Sequence, residues 1–178
     1  ELGCGCGEAG PSGCDETCGS TLEFDECGVC DGDNSSCSGC MDPEAENFDS
    51  SATIEDGTCE HAPIFDEIND QFGTEDVDFS IDLSEHASDL NNNISHYTHV
   101  VLENDNSVSS SINGNILTVS PSNNFYDTGF GDIVVIRVFV FDSIGHSNQT
   151  DFNLSFSGVN DAPVITSVSG QVPTPIIE

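Results

Sequence analysis

The sequence predicts an all-β fold: a seven-stranded sandwich that follows an irregular, disulfide-rich module. Three observations lead to this prediction. All nine cysteines lie in the first third of the 178-residue chain, at or before Cys59. That first third shows no sustained apolar periodicity and is interrupted by Gly and Asp turn signals. From Ala62 onwards, short alternating apolar runs are separated by Asn, Asp, Gly and Ser, which is typical of an antiparallel β-sandwich.

The cysteines indicate a disulfide framework formed in an oxidising compartment, because a stretch with so few large apolar residues cannot bury enough surface to fold otherwise. They are Cys4, Cys6, Cys14, Cys18, Cys27, Cys30, Cys37, Cys40 and Cys59. The two Cys-x-x-Cys pairs also have the spacing of a four-thiolate zinc site, but the oxidising context favours disulfides. Because nine is odd, we expect one cysteine to pair outside this segment or to stay free. The N-terminus shows no initiator Met, signal peptide or transmembrane run, which fits an internal or processed piece.

The charge is extreme, with 33 acidic residues against one basic residue, Arg137, and a net charge of −32 at pH 7. This excludes nucleic acid as a partner, because binding to phosphates depends on Lys and Arg. Such a charge works against compaction unless salt screens it or cations neutralise it. Calcium bound at carboxylate clusters and a saline habitat both fit the composition.

The predicted strands begin with Ile64–Ile68 and a clear alternating run, Asp76–Leu83, in which Val77, Phe79, Ile81 and Leu83 share one face. The others are Ile94–Leu102, Ser107–Ile112, Asn115–Ser120, Gly131–Asp142 and Thr150–Phe156. Asn113-Gly114 predicts a type I′ hairpin turn. Seven short antiparallel strands at this spacing favour a Greek-key sandwich of the immunoglobulin class over a barrel.

The penultimate predicted strand is apolar on both faces, with Ile133, Val135, Phe139 and Phe141 on the outward one. A central strand shielded by its neighbours explains this pattern better than an intermolecular contact. Strand alternation places His96 and His99 on opposite faces, which disfavours a shared metal ion. No nucleophile elbow, glycine-rich phosphate loop or His-Glu zinc motif occurs, so we expect no enzyme.

Several segments of the second part resemble tandem cadherin-like and immunoglobulin-like repeats of bacterial surface proteins. They are Ala62-Pro63-Ile64-Phe65, Asn69-Asp70-Gln71, Thr74-Glu75-Asp76 and the junction from Gly158 to Ile165, which contains Asn160-Asp161-Ala162-Pro163-Val164. The resemblance implies a calcium ion at the junction between repeats, with Glu75, Asp142, Asn160 and Asp161 as its ligands. The Asp89–Asn93 loop carries fewer charges than related repeats have, and a solvated acidic loop is the alternative.

The first part resembles cysteine-rich repeats of marine bacterial secreted proteins and, less closely, thrombospondin type 3 repeats, through the motifs Asp25–Cys37 and Gly39–Cys59. The resemblance implies a Cys40–Cys59 disulfide and calcium bound by short acidic loops. The candidate ligands are Asp31, Asp33, Asn34, Asp42, Asn47, Asp49 and Asp56, whose oxygens are spaced closely on tight turns. Four Asn-x-Ser/Thr sequons, at Asn34, Asn93, Asn148 and Asn153, are candidate glycosylation sites.

These features predict a disulfide-rich module over 1–60, a sandwich over 61–161, and over 162–178 a linker with the first strand of a following repeat or an intermolecular docking strand. We expect a secreted, cell-surface structural module of a large repeat protein, with calcium as its cofactor and copies of itself or adjacent repeats as partners. In this hypothesis it forms a filament or sheath and is not inserted in a membrane. The alternative is an adhesin module that recognises a glycan or protein ligand.

Overall fold

The computed structural model describes residues 4–5, 10–123, 125 and 133–160. The N-terminal part holds two small ladders. One is antiparallel, between β1 (Pro11–Ser12) and β2 (Thr17–Cys18), and the other is parallel, between β3 (Ser38–Gly39) and β4 (Ile54–Glu55). Four disulfides join Cys4 to Cys18, Cys14 to Cys30, Cys27 to Cys37, and Cys40 to Cys59.

Disulfide bonds, rather than a large apolar core, stabilise this part of the chain. Among the described residues of this part, only Cys40 and Ala45 are buried apolar residues, whereas Phe24 and Phe48 are exposed. The Cys-x-x-Cys cysteines are all bonded to other cysteines, so the zinc alternative does not apply to them. The last of the four disulfides is the pair that the resemblance implied. Cys6 lies outside the described residues.

In the described part of the sandwich there are nine further strands and two 3₁₀ turns. They are β5 (Ile64–Phe65), β6 (Gln71–Thr74), β7 (Phe79–Asp82), η1 (Leu83–Glu85), β8 (Ala87–Ser88), β9 (Ile94–Glu103), η2 (Asp105–Ser107), β10 (Val108–Asn113), β11 (Ile116–Pro121), β12 (Val134–Asp142) and β13 (Ser147–Ser157).

Two main sheets form the sandwich, in the orders β10-β11-β7 and β6-β13-β12-β9. Non-consecutive strands pair in both sheets, β7 with β11 and β9 with β12, while β6 runs parallel to β13. The short strands β5 and β8 form a separate antiparallel pair. This strand order is that of an immunoglobulin-like Greek-key sandwich, and it confirms the predicted all-β fold class.

The core lies between the two sheets, because alternate residues of each strand point inward. On β12 the residues Val134, Ile136, Val138 and Val140 are fully buried. From the other elements the core receives Phe65, Ile68, Leu83, Leu117, Val119, Phe152, Leu154 and Phe156. On the outward face of β12, Phe139 and Phe141 stack on each other and stay partly exposed, with ring centroids 6.4 Å apart.

The predicted strand Asp76–Leu83 is wrong at both ends. Asp76 has a left-handed conformation with φ of 63°, which ends the extended backbone after β6 and leaves Val77 exposed. Leu83 is buried as predicted, but in η1 rather than in a strand. Only Phe79 and Ile81 pack against the core from β7 itself. The strand β6 was not predicted.

The β10–β11 hairpin is present, but its turn is one residue later than predicted. Asn113 pairs with Ile116, so Gly114 and Asn115 form the two-residue loop. Gly114 has a φ of 64°, and Asn115 does not have a positive φ. Positive φ at the first loop position alone is the pattern of a type II′ turn, which needs glycine at that position.

Candidate functional site

Glu75 is a buried carboxylate at the end of the sandwich where β13 finishes. It follows β6 directly, and its backbone N–H donates to the Ser157 carbonyl over 2.9 Å. The residue is 1% exposed. Its Oε1 accepts a hydrogen bond from the backbone N–H of Val159, whereas its buried Oε2 has no hydrogen-bond partner.

An ionised carboxylate with one unpaired buried oxygen is costly, since desolvation of the charge is only partly offset by a single N–H donor. A bound cation would supply the missing partner. The oxygen belongs to the donor type that calcium prefers, so Glu75 fits the metal that the resemblance implied. Asn160 is exposed one residue beyond Val159, in reach of the same end of the sandwich. Asp161 lies outside the described residues.

Asp142 does not lie at this end of the sandwich, although the resemblance implied that it and Glu75 bind one ion. It ends β12 beside the start of β13, where Phe141 pairs with Ser147. The 11-residue strand β13 runs from that end to Ser157, next to Glu75. At ~3.3 Å per residue the two carboxylates are about 30 Å apart. The antiparallel turn between β12 and β13 is the physical reason, and one ion cannot contact both residues.

The Asp142 carboxylate instead organises the β12–β13 turn. Its Oδ1 accepts hydrogen bonds from the backbone N–H groups of Ile144, Gly145 and His146 over 2.9, 2.5 and 2.8 Å. Its Oδ2 pairs with His146 Nδ1 over 2.9 Å. Burial opposes ionisation, but the backbone N–H groups and the imidazole outweigh it and hold the pKa of Asp142 below its usual value. Both oxygens therefore have protein partners.

In the loop closed by the Cys27–Cys37 disulfide, the structure assigns structural roles to some of the candidate ligands. Asn34 Oδ1 accepts from the backbone N–H of Glu26 over 2.8 Å. The Ser35 hydroxyl and the Ser35 backbone N–H, which donates to Asp33 Oδ1 over 3.1 Å, lower the pKa of Asp33. Asp31 is exposed in a left-handed conformation, with φ of 57°.

Asp25, which sequence reasoning left out of the ligand set, organises this loop. Its two oxygens accept from the backbone N–H groups of Val29 and Asn34, over 2.7 and 2.9 Å. The sequence signal for this role was the position of Asp25 at the start of the Asp25–Cys37 motif, two residues before Cys27. Calcium binding by Asp31, Asp33 and Asn34 stays a prediction.

In the loop closed by Cys40 and Cys59, three of the candidate ligands likewise form hydrogen bonds with nearby residues of the same segment. Asn47 bridges its two arms, because Nδ2 donates to the Thr58 carbonyl over 2.7 Å and Oδ1 accepts from the Glu60 N–H over 2.8 Å. The carboxylates of Asp49 and Asp56 each accept from a hydroxyl and an N–H two residues further on, those of Ser51 and Thr58 respectively. These contacts use one oxygen of each carboxylate.

Asp42 forms an ion pair with His61 that sequence reasoning missed. Asp42 Oδ2 lies 3.0 Å from His61 Nε2. Together with the N–H of Glu44, the imidazole lowers the pKa of Asp42, and the carboxylate raises the pKa of His61. The backbone N–H of His61 also donates to Asn91 Oδ1 over 2.9 Å, and Asn91 Nδ2 donates to the Cys59 carbonyl over 2.7 Å. These contacts fasten the last disulfide loop to the β8–β9 loop of the sandwich.

A second acidic residue outside the predicted set, Glu55, lies beside this disulfide. Glu55, Cys40 and Cys59 place one candidate ligand atom each within 4.8 Å of the others. Because the two sulfurs are joined in a disulfide, they are not thiolate ligands. Glu55 instead accepts from the N–H groups of Met41 and Gly57, over 2.7 and 2.9 Å.

The four sequon asparagines differ in accessibility. Asn148 is exposed near the start of β13. Asn153 Nδ2 donates to Asp70 Oδ1 over 2.9 Å, and the amide of Asn93 faces the Asp89 carboxylate. Asn34, Asn93 and Asn153 are partly buried, so the exposed Asn148 is the most accessible of the four side chains.

His96 and His99 do not form a joint site. His96 stacks on Phe141 at the outer face, with ring centroids 4.7 Å apart. His99 is partly buried and bonds to Ser110 Oγ over 2.8 Å, which links β9 to β10.

The described residues include no helix with the length and apolar character needed to span a membrane.

Comparison with known proteins returned no matching family model and no matching curated protein. Among solved structures, the chain is similar to the PKD domain of the KIAA 1837 protein (19% identity, TM-score 0.41, 56% of this chain and 91% of that one). It is also similar to Drosophila N-cadherin EC1-3 (14%, 0.43, 64% and 40%). A third match is a nucleoside hydrolase-related hypothetical protein from Saccharophagus degradans (16%, 0.43, 56% and 26%). All three TM-scores are low, so the strand order of this chain itself defines its fold.

Proposed function

We propose that this chain is a non-enzymatic extracellular structural module whose end is stiffened by calcium where the chain leaves the sandwich. The observation that carries the proposal is the buried Glu75 carboxylate, which shares one oxygen with the Val159 N–H and leaves the other without a partner. A cation there would connect the end of β6 to the segment that follows β13. It would turn a hinge into a rigid joint.

Calcium is the cation that fits best. It takes six to eight oxygen ligands at about 2.3–2.6 Å, and it accepts carboxylates and amide carbonyls together. In this proposal Glu75, Asn160 and Asp161 are ligands, and a following repeat or solvent completes the shell. Asp142 has no part in it. The net charge of −32 adds a general electrostatic attraction for divalent cations.

The disulfide-rich part serves as a second stiff element in this proposal. Four disulfides within residues 4–59 restrict the chain without a large apolar core, as in proteins of oxidising compartments. The Asp42–His61 pair and Asn91 attach that part to the sandwich. A chain of such modules, or of adjacent repeats, would form a filament, sheath or surface fibre outside the cell.

The test is thermal unfolding of the non-reduced protein in calcium and in excess chelator, with electron micrographs of both samples. The proposal expects a higher unfolding temperature in calcium, because a ligand that binds only the folded state stabilises it. It also expects rods or filaments that shorten or dissociate in chelator. Identical unfolding and identical particles in the two samples would contradict it.

A further inference from the structure

The long edge strand β9 is open along one side. Within the part of the chain that the structure describes, this 10-residue strand pairs only with β12. The other edge strands of the two main sheets are shorter, with four residues in β6 and β7 and six in β10. A long strand with unpaired N–H and C=O groups is a template for another strand, unless charge, proline or a cover protects it.

Charge does not protect this edge. Glu103, at the far end of β9, is the only acidic residue in the strand, in a chain that has 33 of them. On the neighbouring β12, directly paired residues share a face, so Phe139 and Phe141 flank Thr98 and His96 on the outer side. Arg137, which pairs with Val100, is neutralised by Asp151 through two contacts of 2.7 Å. Two β9 strands can therefore pair along this stretch without placing carboxylates of β9 directly opposite each other.

The regular part of the strand is also self-complementary. Shifts in the β9–β12 register border the stretch from His96 to Val101. When two β9 strands pair antiparallel, each residue lies opposite one residue of the other copy. The two opposing residues share a face only if their residue numbers add up to an even number. With Thr98 opposite Thr98, His96 opposes Val100 on the outer face and Tyr97 opposes His99 on the inner one. Thr–Thr and aromatic–β-branched pairs are favourable neighbours in antiparallel sheets.

We propose that β9 is a docking edge for the β9 strand of a second copy of this chain, with Thr98 on the two-fold axis. The two four-stranded sheets then form one continuous sheet across the dimer. Burial lowers the pKa of His99, so the inner pairs with Tyr97 form without an added positive charge at neutral pH. This contact does not involve Glu75, so it is independent of the calcium joint.

The test uses two charge variants, Thr98→Glu and Thr98→Lys, in sedimentation equilibrium in chelator at physiological ionic strength, where charges that lie directly opposite each other still interact. Thr98 is exposed, so both variants should keep the unfolding temperature of the wild type when all three proteins are measured as monomers at low concentration. Each variant alone places like charges opposite each other and should weaken the dimer about fivefold, while an equimolar mixture should restore it. The matched controls are Gln149→Glu and Gln149→Lys, because Gln149 lies exposed on β13, opposite Phe139 and away from the edge.

The controls should dimerise like the wild type, whether alone or mixed. A wild-type chain that stays monomeric over the whole concentration range would overturn the proposal. So would Thr98 variants that associate as tightly as the wild type, or a mixture no tighter than either variant alone. Because the measurement is made in chelator, its outcome does not depend on calcium at Glu75.

Discussion

The Glu75 carboxylate accepts a hydrogen bond from the backbone N–H of Val159, so one buried charge connects the end of β6 to the segment after β13. Two segments that are distant in sequence meet at an acidic group with an unpaired oxygen. Local turn formation does not explain this arrangement, because the partner lies 84 residues away. In this respect Glu75 differs from Asp33, Asp49 and Asp56, whose carboxylates bond to residues two positions further on.

Asp142→Asn should destabilise the protein equally in calcium and in chelator. The substitution removes the ion pair with His146 but touches only the β12–β13 turn, far from Glu75. Unfolding temperatures of the variant and the wild type in the two media provide the measurement. A variant that lost only the calcium-dependent part of its stability would show that Asp142 is a ligand after all.

The ion pair of Asp42 and His61 predicts a specific pH dependence. His61 has a raised pKa, so its contribution to stability is complete below its ordinary value of 6.5 and is lost as the pH rises through the folded-state pKa. Asp42 has a lowered pKa, so its contribution is present above its ordinary value of 3.8 and is lost as the pH falls through the folded-state pKa.

The difference in unfolding free energy between the wild type and Asp42→Asn should therefore be largest between about pH 4 and 6.5 and shrink towards pH 8. Denaturant unfolding of both proteins across this range measures it. A difference that stayed constant from pH 5 to 8 would contradict the ion pair.

Asn47→Asp should weaken the Cys40–Cys59 loop by about 1 kcal/mol, with or without calcium, because the Nδ2 donor to the Thr58 carbonyl is lost. The rate at which reductant opens that disulfide reports the loosening. Asn69→Asp, an equal change of charge at an exposed position, is the control. If Asn47 were a calcium ligand instead, the added carboxylate would strengthen calcium binding and protect the disulfide in calcium.

Gly73→Ala should destabilise the sandwich by about 1–3 kcal/mol through overpacking. A Cβ at this position would lie 2.7 Å from Cδ1 and Cε1 of Phe156, a core residue on the adjacent β13. Denaturant unfolding measures the loss. Gly10→Ala is the control, because its Cβ would meet no atom of the described residues within 4 Å. Equal stability of Gly73→Ala and the wild type would show that Phe156 moves aside freely.

The sequence predicts the fold class well because alternation and turn residues are local signals. Phe79, Ile81 and the apolar residues of β13 carry the period of two that places them in the core. The break between β6 and β7 was not predicted, because in the sequence Asp76 fits the alternating run that follows it. In the structure Asp76 has a left-handed backbone conformation and interrupts the extended chain. Similarly, Asn113-Gly114 marks a hairpin, but the register of β10 on β11 decides which two residues form its loop.

The candidate site was only partly predictable. Glu75 contacts Val159, the residue before Asn160, and the role of Glu75 and Asn160 as calcium ligands stays a prediction. Asp142 was grouped with them, although the order of β12 and β13 places it at the opposite end of the sandwich. The roles of Asp25 and His61 depend on contacts between segments, with Asn34 and Asp42 respectively, that no spacing rule reveals. An abundance of carboxylates also hides which of them have a buried oxygen without a partner, and the folded arrangement identifies Glu75 and Glu60 as two of these.

Calorimetric titration of calcium into the wild type, Glu75→Gln and Asp76→Asn tests the central claim most directly. Asp76 is the exposed neighbour of Glu75, so the control removes the same charge from almost the same place. We expect Glu75→Gln to bind one calcium ion fewer than the other two proteins. In chelator, it should be at least as stable as the wild type, because its buried charge is gone. Equal calcium binding by all three proteins would contradict the calcium joint.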